Sequence, residues 1–387
     1  FGFIFTFFSS FGQSFFLGLF NSSIRNELSI THGQFGSIYA SATLLSSFLL
    51  IWVGKKIDDI NISKFALFVI LLLSFSCFFF SNISSTIFLF VAIFLMRFAG
   101  QGMMSHTATT TISRYFTKSR GKALSTGWFG LSTAEFILPV LIVYLLAIYN
   151  WKNIWITISL IVIIFLPISS YFLVRNLNFD SRETQEDKNS LDYKIKDWKR
   201  IEVIKDFRFY IICANMLAMP WIATGTFVYQ SFILESKNWG PFIMAQSFMA
   251  YSILSVITLF LSGFLIDKFT SRKLLIFMNI PLLLSVIVII YFNHPITAFV
   301  FLGLIGVSNG FANVLGSSTW AEIYGVKYIG SIKALTTALM VFATAFGTAL
   351  FGVLIDKGFS IEQIAMISSI YISISLILLF LIRNKLN

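Results

Sequence analysis

Two ionisable side chains stand apart from the rest of this 387-residue chain. Arg97 and Glu135 are the only base and the only acid set well inside long apolar stretches; the other bases and acids fall in loops or at stretch ends. A charge held in a hydrocarbon environment costs several kcal/mol, with values from roughly 2.5 to over 10, so it normally faces a cavity or a partner. Three readings are open. The two groups form an ion pair that only locks neighbouring helices; Arg97 neutralises an anionic substrate, its guanidinium fork being suited to a carboxylate; or Glu135 takes up and releases a coupling proton. The last two are compatible. Weaker candidates are polar residues in otherwise apolar stretches: Gln13, His106, Asn215, Tyr229, Gln230, Gln246, Asn309 and Asn313. For each alone, a hydrogen bond between helices is the first reading.

No other chemistry is visible. The chain carries no phosphate-binding loop, no His–Cys ligand spacing and no nucleophile elbow, and its three His residues are far apart. Both cysteines, Cys77 and Cys213, lie in apolar stretches, which leaves no disulfide framework. No enzyme activity, cofactor or metal is expected.

The elements that must position these groups follow from composition. Hydrophobic residues make up 57% of the chain and charged residues 12%, where a water-soluble domain carries roughly a quarter charged residues. Apolar runs of 18 or more residues recur, each able to cross a hydrocarbon core roughly 30 Å thick. Hydropathy predicts twelve spans, near 2–22, 33–53, 64–81, 85–112, 120–148, 151–174, 208–234, 241–266, 272–292, 295–323, 329–355 and 359–382. The chain opens at Phe1, already apolar and without a Met, so further residues are expected ahead of it. No basic segment or small-residue cleavage site marks residues 1–20 as a cleaved leader. At 1.5 Å per residue, Arg97 in the fourth span and Glu135 in the fifth both come out near the middle of the membrane.

Twelve crossings put both chain ends on one side. Of the 28 Lys and Arg residues, 23 fall in the loops and tail of that side and four on the opposite side. This positive-inside bias predicts cytoplasmic termini and a cytoplasmic central loop. The net charge of +11 is therefore scattered over helix ends, where it serves orientation and anionic lipid rather than nucleic acid.

The chain also repeats itself. Gly54-Lys55-Lys56-Ile57-Asp58 follows the second span, and Gly263-Phe264-Leu265-Ile266-Asp267-Lys268 follows the eighth, 209 residues later. Gln101-Gly102 pairs with Asn309-Gly310, Tyr115 with Tyr324, and Lys122-Ala123-Leu124 with Lys333-Ala334-Leu335, all at nearly the same offset. A third Gly-x-x-x-Asp, Gly352 to Asp356, closes the eleventh span on the opposite side. The repeat predicts two six-helix bundles, 1–175 and 208–387, with a site between them near the midplane. Residues 176–207 are expected to be a cytoplasmic linker, with a short surface helix between Leu191 and Ile204.

These residues resemble the major facilitator superfamily over essentially the whole chain. That family carries Gly-x-x-x-Asp-Arg/Lys-x-Gly-Arg-Arg/Lys after its second helix; here Gly263, Asp267, Lys268, Arg272 and Lys273 match after the eighth span, and Gly54 and Asp58 form a degraded copy after the second. Arg97-Phe98-Ala99-Gly100-Gln101-Gly102 looks like the family's Arg-x-x-x-Gln-Gly element. Arg114-Tyr115-Phe116, Arg120-Gly121-Lys122-Ala123 and Asn150-Trp151-Lys152 carry a narrower likeness to monocarboxylate and oxalate/formate carriers, although the eighth and eleventh spans lack the buried cations of an oxalate carrier. The resemblance implies an all-α membrane fold of two pseudo-symmetric six-helix bundles and a cavity lined by the first and seventh helices. That raises Gln13, Tyr229 and Gln230 among the polar candidates, and the matched element adds Gln101. It also implies that Asp58 and Asp267, with their Gly and basic neighbours, latch the halves on the cytoplasmic face. The expected protein is a secondary active transporter of the inner membrane, monomeric and lipid-embedded. It takes a small organic solute, an anion such as a carboxylate, with protons as partners. An exporter of amphipathic compounds and a non-transporting receptor of the same fold are the alternatives.

Overall fold

The computed structural model describes residues 1–115, 120–174, 197–325 and 327–385, and no strand occurs among them. Among the described residues, eleven helices are long and apolar enough to cross a membrane: His32–Lys55, Ile62–Ser81, Thr86–Ile112, Ala123–Ile148, Trp151–Leu173, Phe207–Val228, Pro241–Ile266, Ser271–Tyr291, Ile296–Tyr324, Ile332–Asp356 and Ile361–Lys385. The first span is a bent pair, Gly2–Gly12 and Ser14–Leu28, turned by 43°. Counted as one, it brings the total to the expected twelve. The bend falls where Gln13 takes an extended backbone, φ −84° and ψ 153°, in the stretch Ser9 to Ser14, small and polar except for Phe11. Helices with capping side chains start cleanly. Thr31 and Ser360 each accept from the backbone of a Gln three residues on, whose side chain accepts in return from the cap's own N–H.

Many large apolar side chains remain uncovered. Ile51, Phe172, Phe264 and Leu381 are 67–74% exposed, an arrangement that water would penalise at each residue and lipid does not. The interior pairings repeat. The first span packs on the fifth, the second on the fourth and the third on the sixth; in the same order the seventh packs on the eleventh, the eighth on the tenth and the ninth on the twelfth. The halves meet where the second span packs on the eleventh and the fifth on the eighth.

Residue 175 and residues 176–196 of the linker lie outside the described residues. The linker's end carries a helix shorter than expected, Arg200–Lys205, which touches the seventh and eleventh spans, while the residues flanking it bond to the end of the tenth. There Trp198 N–H donates to the Tyr324 carbonyl at 2.9 Å, and Tyr324 donates its hydroxyl to Asp206 at 3.1 Å. Arg208 donates to the Lys385 carbonyl at 2.9 Å, tying the start of the seventh span to the end of the last. We call this the linker side and its opposite the far side.

Candidate functional site

A cavity of about 600 Å³ lies between the halves. Its wall is built from Gln13, Arg97, Gln101 and Glu135 of the first half and from Thr224, Tyr251, Asn309 and Asn313 of the second, with Trp128 and Trp320 among the aromatic members. Residues near the linker-side ends of the spans, such as Leu124, Cys213 and Thr336, also line it. The opening therefore faces the linker.

On the far side the halves are sealed. Gln230 donates to the Phe15 carbonyl at 2.9 Å, and Asn21 donates to the Val228 carbonyl at 2.7 Å. Tyr229 reaches the His32 carbonyl at 2.9 Å and the Thr348 carbonyl at 3.1 Å. Tyr229 and Gln230 thus part from the expectation that the seventh span brings them to the cavity: the span ends at Val228, Tyr229 forms the break and Gln230 opens the next short helix, Gln230–Ser236, so both fall in the seal.

Arg97 opens a π-helical segment, Arg97–Met104, within the fourth span. Such segments are rare and often accompany functional sites. The wide turn abuts the break in the first span at Gly12 and Gly100. A Cβ on Gly100 would stand 2.6 Å from the Gly12 nitrogen, and one on Gly12 2.5 Å from the Gln101 nitrogen. No side chain fits between the two backbones. The close approach sets the Arg97 guanidinium against the first span, where Nη1 donates to the Gly12 carbonyl at 3.0 Å and to Ser14 Oγ at 3.2 Å. The Tyr39 ring lies 5.4 Å from the guanidinium carbon, a distance at which its π face favours the cation. Arg97 is 2% exposed, and its Nε has no hydrogen-bond partner.

The ion pair with Glu135 is not formed: among the described residues no carboxylate comes within 4.0 Å of Arg97. Glu135 sits apart in the same cavity wall, 9% exposed. The nearby fifth and eighth spans are joined by Ser252, whose hydroxyl donates to the Ser132 carbonyl at 2.7 Å. Asn309 lines the cavity and donates to Ser255 Oγ at 3.0 Å. His106 lies elsewhere, its Nε2 3.0 Å from the Gly54 carbonyl. Tyr251, Trp128 and Trp320 are wall residues that sequence reasoning missed, because an aromatic residue in an apolar helix carries no distinguishing signal.

The motif residues expected to latch the cytoplasmic face are described only in part. The side chains of Asp58 and Asp267 lie outside the described residues. Gly263 has open space where its Cβ would be, Lys268 sits over the Phe269 ring at 5.3 Å, and Arg272 approaches Glu322 of its own half at 3.6 Å. The Glu322 carboxylate also accepts from the Ser271 and Arg272 backbones at 2.9 and 3.2 Å. Around Asn150-Trp151-Lys152, Trp151 Nε1 donates to Glu27 at 2.9 Å and Lys152 pairs with the same carboxylate, which fastens the sixth span to the end of the first.

The fold is shared with solved transporters. A bacterial homologue of the human lysosomal transporter Spinster, inward-facing and unoccupied, superposes with a TM-score of 0.74 at 13% identity over 99% of this chain and 95% of its own. The nucleoside transporter NupG gives 0.67 at 16% identity over 98% and 96%. The D-xylose-proton symporter gives 0.72 at 13% over 97% and 94%. No curated protein sequence matches. The profile of the Major Facilitator Superfamily matches residues 2–348 and 210–386. With twelve apolar spans, the repeated pairing of its halves and a cavity between them, the chain belongs to the Major Facilitator Superfamily of membrane transporters.

Proposed function

We propose that this transporter carries a small organic anion of the carboxylate class together with protons, by alternating access. The observation that carries the proposal is the unpaired state of Arg97: a buried guanidinium fixed through one nitrogen, its Nε without an acceptor, in a cavity that also holds an unpaired Glu135. A buried cation lacking a counterion is costly, and a bound carboxylate supplies one. In this reading Glu135 is the proton carrier, and Gln13, Gln101 and Asn309 give the substrate neutral hydrogen-bonding contacts. The two halves, 1–175 and 208–387, are the rocking bodies. In this reading the excess of basic residues favours a cytoplasmic linker side in an inner membrane, and the conformation is then inward-facing, the state in which the Spinster homologue was solved. The D-xylose-proton symporter couples its sugar to protons on the same fold.

Trp128, Trp320 and Phe227 in the wall favour a second reading, proton-coupled export of amphipathic compounds. Counterflow in proteoliposomes with a carboxylate panel, with and without a pH gradient, separates the two. Glu135→Gln is expected to abolish uptake driven by the pH gradient while leaving substrate exchange intact. Uptake that keeps its full dependence on the gradient in that variant removes Glu135 as the carrier.

A further inference from the structure

The Gly-x-x-x-Asp at the end of the eleventh span takes no part in the cavity, yet its Asp356 reaches across the interface between halves. One carboxylate oxygen accepts from the His32 backbone N–H at 3.0 Å, the other from Gly33 N–H at 2.8 Å. These are the first two residues of the 24-residue helix His32–Lys55, whose opening turn has N–H groups without intrahelical partners and a positive dipole end. The acid of one half thus caps the helix of the other.

Glycine is required on both sides of the contact. A Cβ on Gly33 would stand 2.6 Å from Asp356 Oδ2, and one on Gly352 would stand 2.5 Å from the His32 carbonyl oxygen and would also meet the Tyr229 hydroxyl. That hydroxyl spans the same joint by way of the His32 and Thr348 carbonyls.

We propose that Asp356, seated on the N-terminus of the second span through Gly33 and Gly352, is the latch that holds the cavity shut on the far side. The contact can exist only while the far-side ends of the second and eleventh spans touch. It therefore stabilises the conformation open toward the linker and must break when the halves rock the other way. Two charge-assisted hydrogen bonds, one of which an amide can keep, make the expected effect of Asp356→Asn about ten-fold on the ratio of far-open to far-closed molecules.

The test needs no substrate. Cys77 and Cys213 are replaced by Ala, and a reporter cysteine is placed in the cavity wall as Thr344→Cys. The protein is oriented in proteoliposomes and labelled with a membrane-impermeant maleimide supplied on one side at a time. Asp356→Asn, and independently Gly33→Ala, are expected to raise the far-side labelling rate about ten-fold without raising the rate from the linker side. Parental far-side rates in both variants overturn the latch and leave alternating access standing. Equal increases from both sides mean general loosening, and they also overturn it. The inference rests on the alternating-access reading only in requiring that the far side can open. A complete lack of far-side labelling in parent and variants would overturn both together, whereas a wrong assignment of cargo leaves the result untouched.

Discussion

Replacing Arg97 by Lys keeps the charge and removes the fork. In the structure Nη1 is committed to the Gly12 carbonyl at 3.0 Å and Ser14 Oγ at 3.2 Å, while Nε is buried without a partner. The guanidinium can thus hold the first span with one nitrogen and meet a ligand with its remaining donors. A lysine has a single nitrogen for both tasks. Whichever it keeps, at least one charge-assisted hydrogen bond to the ligand or to the first span is lost, about 1.5–3 kcal/mol. If the ligand loses it, the dissociation constant rises roughly ten- to a hundred-fold. Quenching of Trp128 and Trp320 fluorescence, both in the cavity wall, reads this in detergent with mono- and dicarboxylates as titrants. Arg97→Gln, which also removes the charge, is expected to abolish binding of every carboxylate the parent binds. Were Arg97→Lys to bind each of them as tightly as the parent, the guanidinium would be a structural clamp only, and the anion-binding argument would fail.

Three further substitutions probe the frame around the site. Gly100→Ala forces the fourth span off Gly12 and should destabilise by about 1–3 kcal/mol, as overpacking does; an unchanged melting temperature would show that the joint can yield. Lys237 is 1% exposed at its side chain and pairs with Glu362 at 2.7 Å and Asn293 at 2.6 Å. Lys237→Ala should lower thermal stability by about 1–3 kcal/mol with no change in ligand affinity, and a weaker affinity would contradict its placement outside the site. Trp151→Phe removes the donor to Glu27, about 1 kcal/mol, and a melting temperature equal to the parent's would show that Lys152 alone holds that corner.

Fold and repeat were legible because hydrocarbon imposes one pattern: apolar runs of membrane length, with bases held at one end. Arg97 and Glu135 stood out for the same reason, as charges where charges are expensive. Their separation could not be foreseen, since depth along a helix says nothing of the direction a side chain faces. Here the π-turn and the Gly12–Gly100 contact, both features of tertiary packing, aim Arg97 at the first span. Tyr229 and Gln230 were read as lining residues from the span to which they were assigned, and the true helix end at Val228 moves them to the seal. The carboxylate of Asp356 was visible as a motif, but its partner lies 324 residues away, beyond the reach of any local pattern.

The break at Gln13 carries a consequence for how occupancy is felt by the protein. Past the break, Phe16 N–H turns to the Gln13 carbonyl, at 3.2 Å, and the Gly12 carbonyl that would have received it in a straight helix is met by Arg97. The guanidinium is therefore a splint on a fractured rod. An anion held by the remaining donors would load the same group that meets this carbonyl. Under the proposed reading, cargo and the first span then share one cation, which gives an arriving solute a direct mechanical grip on the helix beside it.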